Sequence, residues 1–209
     1  MLSSNNHWLR VAERNGERCA GPVILAGLLI GLGMVQLASG PMAQTSRFSL
    51  ELLILLVLQL VGPMLVALLA LALLLPRWMA RIELEGQVSW SRSVPAAVVV
   101  GALLLLMFFV AAVCGGVLAT PRADLVGEFR DLLAGVLLID VTRACLRAGV
   151  FLGLLCAWCQ WRTARGITSG KEAGSLISDQ LAEGLVLLLA LKLIWISVID
   201  PLHLTATPQ

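Results

Sequence analysis

The sequence predicts an all-α, polytopic membrane protein, with five transmembrane helices preceded by an interfacial helix over residues 1–20. Three observations carry this. Apolar residues make up 59% of the 209 and charged residues only 13%, against roughly 45–50% and about 25% in soluble domains. The apolar residues fall in runs of about 20, the length that crosses about 30 Å of hydrocarbon as a helix. Most of the arginines lie between those runs.

Residues 1–20 are polar. Arg10, Arg14 and Arg18 interleave with Glu13 and Glu17 at three- and four-residue spacings that suit a short surface helix, which Trp8 and Leu9 would hold on the membrane. The first span, 21–38, has the flanks of a signal peptide, but its length and the spans that follow argue for a retained helix. Gly27 and Gly31 form a small-xxx-small pair that permits close helix approach. A second span, 49–75, ends at Pro76-Arg77 and contains Pro63, where a kink is expected because proline frees a backbone carbonyl. The third, 95–119, is almost wholly Val, Leu, Ala, Phe and Gly.

The stretch 124–161 mixes apolar residues with Asp140, Arg143 and Arg147. A charge at the bilayer centre costs at least about 2.5–3.5 kcal/mol, so 124–144 is expected at the interface and the fourth span over 147–161. Asp140, Arg143 and Arg147 fall within about 60° on a helical wheel and share one wet face. The fifth span, 181–199, carries Lys192 centrally and closes at Asp200-Pro201. The spans and their connections form one region over 21–202.

Basic residues are retained on the cytoplasmic side of a membrane. Arg10, Arg14, Arg18, Arg77, Arg81, Arg92, Arg162, Arg165 and Lys171 fall in segments on one side, against Arg47, Arg122 and Arg130 on the other. The expected topology has a cytoplasmic N-terminus and a C-terminus on the opposite face. Asp140, Arg143 and Arg147 then mark that opposite interface.

The net charge of +2 is small and dispersed, and no run pairs basic residues with stacking aromatics, so nucleic acid is set aside. The only histidines, His7 and His203, fall at opposite ends of the chain. With no nucleophile–base pair, metal spacing or phosphate loop, an enzyme is not expected, no cofactor is implied, and ATP-driven work would need another chain. Five cysteines, mostly in or beside apolar runs, do not read as a disulfide framework. Cys156 and Cys159 form a C-x-x-C pair, but it lacks the βαβ context of a redox motif, and helix packing is their expected role.

A transporter or a membrane scaffold remains. Ionisable groups inside a membrane are functional candidates. Glu51 and Glu183 lie near span ends, within reach of headgroups. Lys192 is the stronger candidate, against a lysine that snorkels to the interface or pairs with another subunit. Gln59, one turn before Pro63, could line an internal cavity or hydrogen-bond between helices, and Gln36 and Pro63 join Lys192 and Gln59 as candidate lining of a transport pathway. The segment 77–94 mixes Arg81, Glu83, Glu85, Gln87 and Arg92 with Trp78 and Trp90. It reads either as a partner-docking helix or as a solvated connection whose tryptophans anchor at headgroups.

The order of motifs resembles the MlaE-type permeases, membrane subunits of ABC systems that move phospholipids across the bacterial envelope. Pro22-Val23-Ile24 and Gly33-Met34-Val35-Gln36 are similar to the family's first span, and Gly62-Pro63-Met64-Leu65-Val66-Ala67-Leu68-Leu69 to its second. Val94-Pro95 and Gly115-Gly116 bracket the third. Arg147 and Val150-Phe151-Leu152-Gly153 match the start of the fourth, and Arg165-Gly166, Gly170 and Glu172-Ala173-Gly174 the glycine-rich turn after it. The likeness covers about 16–201. It departs where the family has an Arg-Glu pair and this chain has Gln59-Leu60, where Ala-Gly-Arg becomes Leu71-Ala72-Leu73, and in a shorter coupling segment.

The resemblance implies an inner-membrane permease subunit, with a homodimer or a second permease completing the assembly. It implies a separate ABC ATPase engaging Arg81, Glu83, Glu85 and Gln87, an MCE-type lipid-binding protein on the opposite face, and phospholipid as cargo. A non-transporting scaffold subunit of such a complex is the alternative.

Overall fold

The computed structural model describes residues 5–38, 61–85, 90–119, 138–168 and 173–204, and all secondary structure among them is helical. Five long helices follow in order: α1 (Asn5–Ala38), α2 (Gly62–Glu85), α3 (Trp90–Ala119), α4 (Leu138–Thr168) and α5 (Ala173–Leu204). Four contain stretches long and apolar enough to cross a membrane: Trp8–Gly33, Gly62–Ile82, Trp90–Ala119 and Ile177–Ser197. Large apolar side chains cover their outer surface, with Leu25, Leu29, Leu103, Val110, Leu118, Val186 and Leu193 all exposed. A surface of this kind needs a solvent other than water.

Helix directions follow from which residues meet. The Gly27 Cα faces the Phe108 carbonyl and Gly31 faces Ala112, so α1 and α3 run parallel. A Cβ on Gly31 would lie 1.9 Å from the Ala112 carbonyl oxygen, and one on Gly115 would lie 2.3 Å from that of Leu28. Glycine at these positions lets the two backbones touch, the packing mode that substitutes for the hydrophobic effect inside lipid. Gly101 meets Ala148 and Leu152 while Gly149 and Gly153 meet Val98, so α4 runs back along α3. Thr163 meets Gln180 and Phe151 meets Trp195, so α5 reverses again. Only four residues separate α2 from α3 and α4 from α5. At about 3.3–3.6 Å per residue, such links keep the end of one helix close to the start of the next. One end of the bundle therefore gathers the start of α3 and α5 with the end of α2 and α4.

Three boundaries differ from the sequence reading. No break separates residues 1–20 from the first span: α1 is one helix of 34 residues with Pro22 inside it, about 51 Å long at 1.5 Å per residue. Nor does α2 stop at Pro76; it continues to Glu85. A proline interrupts only the hydrogen bond to the carbonyl four residues earlier, and packing on both sides carries the helix across that gap. The segment expected to connect spans two and three is thus largely helical. Trp78 lies inside the core at 1% exposure, which overturns its expected role as a headgroup anchor. The third difference is at α4, which starts at Leu138 and so includes Asp140 and Arg143 in the same helix as 147–161.

The α4 helix is not among the four apolar stretches. It packs against α2, α3 and α5. These neighbours cover its Ala144, Ala148, Phe151, Leu152 and Leu155 face, while Ile139, Leu146 and Leu154 stay exposed. The shared core includes Leu71, Leu74 and Trp78 from α2, Leu104, Leu105 and Phe108 from α3, and Phe151, Leu152 and Leu155 from α4. Of the second expected span, 49–60 lies outside the described residues. Pro63 is buried in the first turn of α2, and a kink there would involve that same undescribed stretch.

Candidate functional site

The seam between α4 and α5 holds most of the buried polar side chains. On α5, Gln180, Gly184, Leu188 and Lys192 are buried at four-residue intervals, while the residues between them are exposed or half-exposed. Four-residue spacing lines one face of a helix. That stripe is polar at both ends. On α4, Arg147, Gln160 and Thr163 are buried too; Thr163 meets Gln180 of the stripe, whereas Gly184 faces Leu71 of α2.

At the end of the seam near the α4–α5 connection, the hydrogen bonds are mutually satisfying. The Gln180 amide Nε2 donates to the Thr163 hydroxyl at 2.9 Å, and that hydroxyl donates to the Cys159 carbonyl at 2.8 Å. Arg162 grips Glu183 with two donors, its Nε lying 2.7 Å from Oε2 and its Nη2 bonding Oε1. Fork-to-carboxylate pairing of this kind fixes orientation as well as distance. The Glu183 carboxylate holds the Arg162 guanidinium above its ordinary range, first through the hydrogen bond and then through charge. Glu183 is thus locked to a neighbouring helix instead of reaching for headgroups. Reversing it, Glu183→Arg, is expected to lower the melting midpoint in detergent by about 2–4 °C. The swapped pair Arg162→Glu/Glu183→Arg should recover most of that shift.

Midway along, Gln160 Nε2 donates to the Cys156 sulfur at 3.4 Å, and Cys156 and Cys159 are both free thiols with no exposed surface. Buried thiols are inert packing groups. At the far end, the Arg147 guanidinium lies 5.0 Å from the centre of the Trp195 ring, and Phe151 meets the same ring edge-on at 5.9 Å. Lys192 sits three residues before Trp195 and is 7% exposed, as is Arg147. Arg147 thus has an aromatic face beneath it, and Lys192 is buried within one turn of that same tryptophan on α5. Lys192 is buried, so its side chain does not reach the surface as a snorkelling lysine would.

The sequence assigned Lys192 to a lipid pathway and Arg147 to an interface; the fold brings them to the same end of one seam. Asp140 is half-buried and Arg143 exposed, two turns and one turn earlier on α4 respectively. Gln36 is exposed near the end of α1, away from this seam. Arg81 is half-buried near the end of α2, and its charge reaches Cys156 on α4. Glu83 and Glu85 belong to the last turn of α2, but their side chains, like all of Glu51, Gln59 and Gln87, lie outside the described residues. Gln160, Thr163 and Gln180 were missed. The four-residue ladder from Gln180 to Lys192 was the signal that would have found one of them.

Comparison with protein-family models, with curated proteins and with solved structures finds no match to this chain. Its function is therefore argued from the seam, the helix directions and the order of motifs.

Proposed function

We propose that this chain is a permease subunit of MlaE type, working with a separate ATPase to move phospholipid in the bacterial inner membrane. The observation that carries the proposal is the pair of buried cations, Arg147 and Lys192, at one end of the α4–α5 seam. Charge at membrane depth is expensive and persists where function uses it. A phosphodiester headgroup is the lipid feature that two cations would match, and the apolar helices around them suit its acyl chains. The family's motif order, from Pro22-Val23-Ile24 to Glu172-Ala173-Gly174, supports the same reading.

In this proposal all five helices cross the bilayer, α4 included. The end that gathers Arg77, Arg81, Arg92, Arg162 and Arg165 is cytoplasmic, as the distribution of basic residues requires. The N-terminus is then cytoplasmic, and the C-terminus faces an MCE-type lipid-binding partner. A second copy or a second permease completes the cavity. The last turns of α2, with Arg81, Glu83, Glu85 and the following Gln87, receive the ATPase as a helix.

The test is co-purification. Tagged protein from its native host is expected to retain an ATPase, and the double reversal Glu83→Lys/Glu85→Lys is expected to reduce retained ATPase activity at least about tenfold, a loss of about 1.4 kcal/mol in association. Unchanged retention with unchanged lipid export would defeat the coupling role. One observation favours the scaffold reading: Gln59-Leu60 and Leu71-Ala72-Leu73 replace charged positions of the family. A scaffold would keep its ATPase association and lose nothing when Arg147 and Lys192 are neutralised.

A further inference from the structure

We propose that four arginines where α1 meets α2 form a binding site for the phosphate headgroup of an anionic phospholipid in the leaflet at the basic end of the bundle. The proposal needs only that the helices sit in a bilayer; it does not depend on the permease reading.

Arg14 and Arg18 lie on α1, and Arg77 and Arg81 on α2. Arg77 Nη1 donates to the Arg14 carbonyl oxygen at 3.2 Å, which fixes the two helices at this point. Arg18, Arg81 and Arg14 all lie close enough to repel the Arg77 charge, and no carboxylate is among the groups acting on Arg77. Glu13 and Glu17, their neighbours on α1, make no ion pair with them among the described residues. Like charges gathered without a counterion are unfavourable, and an anion relieves the repulsion.

The height of the cluster selects which anion. Gly27 faces Phe108 and Gly31 faces Ala112, and the same offset along the parallel helices sets Arg14 level with Pro95 and Arg18 level with Val99. Pro95 opens the long apolar run of α3, so the cluster lies at the edge of the hydrocarbon layer. The apolar surface continues from there on both helices. Arg14, Arg18, Leu25 and Leu29 fall within about 60° around α1, and the two leucines are about 60% exposed. On α2, the exposed Leu73 lies one turn before Arg77. A ligand with phosphate oxygens at one end and acyl chains beside Leu25, Leu29 and Leu73 matches both parts. A free phosphate or an acidic protein would use only the first.

The test uses the full-length protein in a neutral detergent without phosphate, titrated with phosphatidylglycerol or phosphatidylcholine, with bound lipid counted by native mass spectrometry. Wild type is expected to retain phosphatidylglycerol in preference. Each arginine near a charged lipid surface is worth about fivefold in affinity, so Arg14→Gln/Arg18→Gln is expected to weaken phosphatidylglycerol roughly 30-fold and to leave phosphatidylcholine unchanged. The single variants, each about fivefold, carry the test if the double variant folds poorly. Leu25→Asn/Leu29→Asn should weaken the lipid as well. Equal retention of the two lipids by wild type would overturn the proposal, and so would a double variant that binds like wild type. Displacement of the lipid by inorganic phosphate at equal concentration would assign the cluster to free phosphate. Preferential capture of a polyglutamate peptide would assign it to an acidic protein. Either result would also overturn it.

Discussion

Replacing Gly31 by leucine is expected to abolish the folded bundle, giving aggregated protein in place of a single peak on size exclusion. The first added carbon alone would sit 1.9 Å from the Ala112 carbonyl oxygen, well inside van der Waals contact, and the obstacle is backbone, which cannot rotate away. The α1 and α3 helices would have to separate along their whole seam. Gly27 facing Phe108 and Gly115 facing Leu28 would then lose their contacts together with Gly31. Overpacking in a well-filled core costs about 1–3 kcal/mol, and losing the shared seam places this substitution at or above the top of that range. Gly33 supplies the control. It is on the same helix and a Cβ there would meet nothing within 4 Å, so Gly33→Leu should leave the elution profile and melting midpoint unchanged. If Gly31→Leu behaved like Gly33→Leu, the parallel seam would be wrong.

The second large effect is expected at Lys192, on lipid export. Lys192→Met removes one of two buried cations from the α4–α5 seam and fills its place with an apolar chain of similar length. Lys192 also has a partner within the fold, and removing one member of a buried polar contact is destabilising, so export is compared on variant protein that purifies folded. Lipid export should fall at least about tenfold, since the headgroup loses one of its two cationic partners, each charged hydrogen bond contributing about 1.5–3 kcal/mol. Lys192→Arg should restore most of the export. Wild-type export by folded Lys192→Met protein would mean that Lys192 holds the fold together and does not handle lipid.

The all-helical, membrane-suited architecture was legible because it rests on run length and composition, and the apolar run of 95–119 in particular leaves no other structure open. The small-residue pair Gly27 and Gly31 was legible as a close-approach surface, although not that its partner would be α3. What composition could not resolve was continuity across prolines. Pro22 and Pro76 punctuate the sequence as helix ends, yet each costs one hydrogen bond, which tertiary packing outweighs. Nor could the polar character of 138–147 show that this stretch is one helix with 147–161, since charges mark a segment as polar without marking where its helix begins. Lys192 stood out because a lone charge in an apolar run is conspicuous. Its proximity to Trp195 and Arg147 was hidden, since it depends on how α4 and α5 slide past each other over a separation of 45 residues between Arg147 and Lys192.

The parallel pairing of α1 with α3 also has consequences for biogenesis. Two parallel helices cannot form a hairpin as they leave the ribosome; the chain must turn back once before the second can meet the first. The matching surfaces are 81 residues apart, as Gly31 and Ala112 show, which at about 5–20 residues per second is roughly 4–16 s of synthesis. During that interval the glycine face of the first helix has no protein partner, and either lipid or the insertion machinery must cover it.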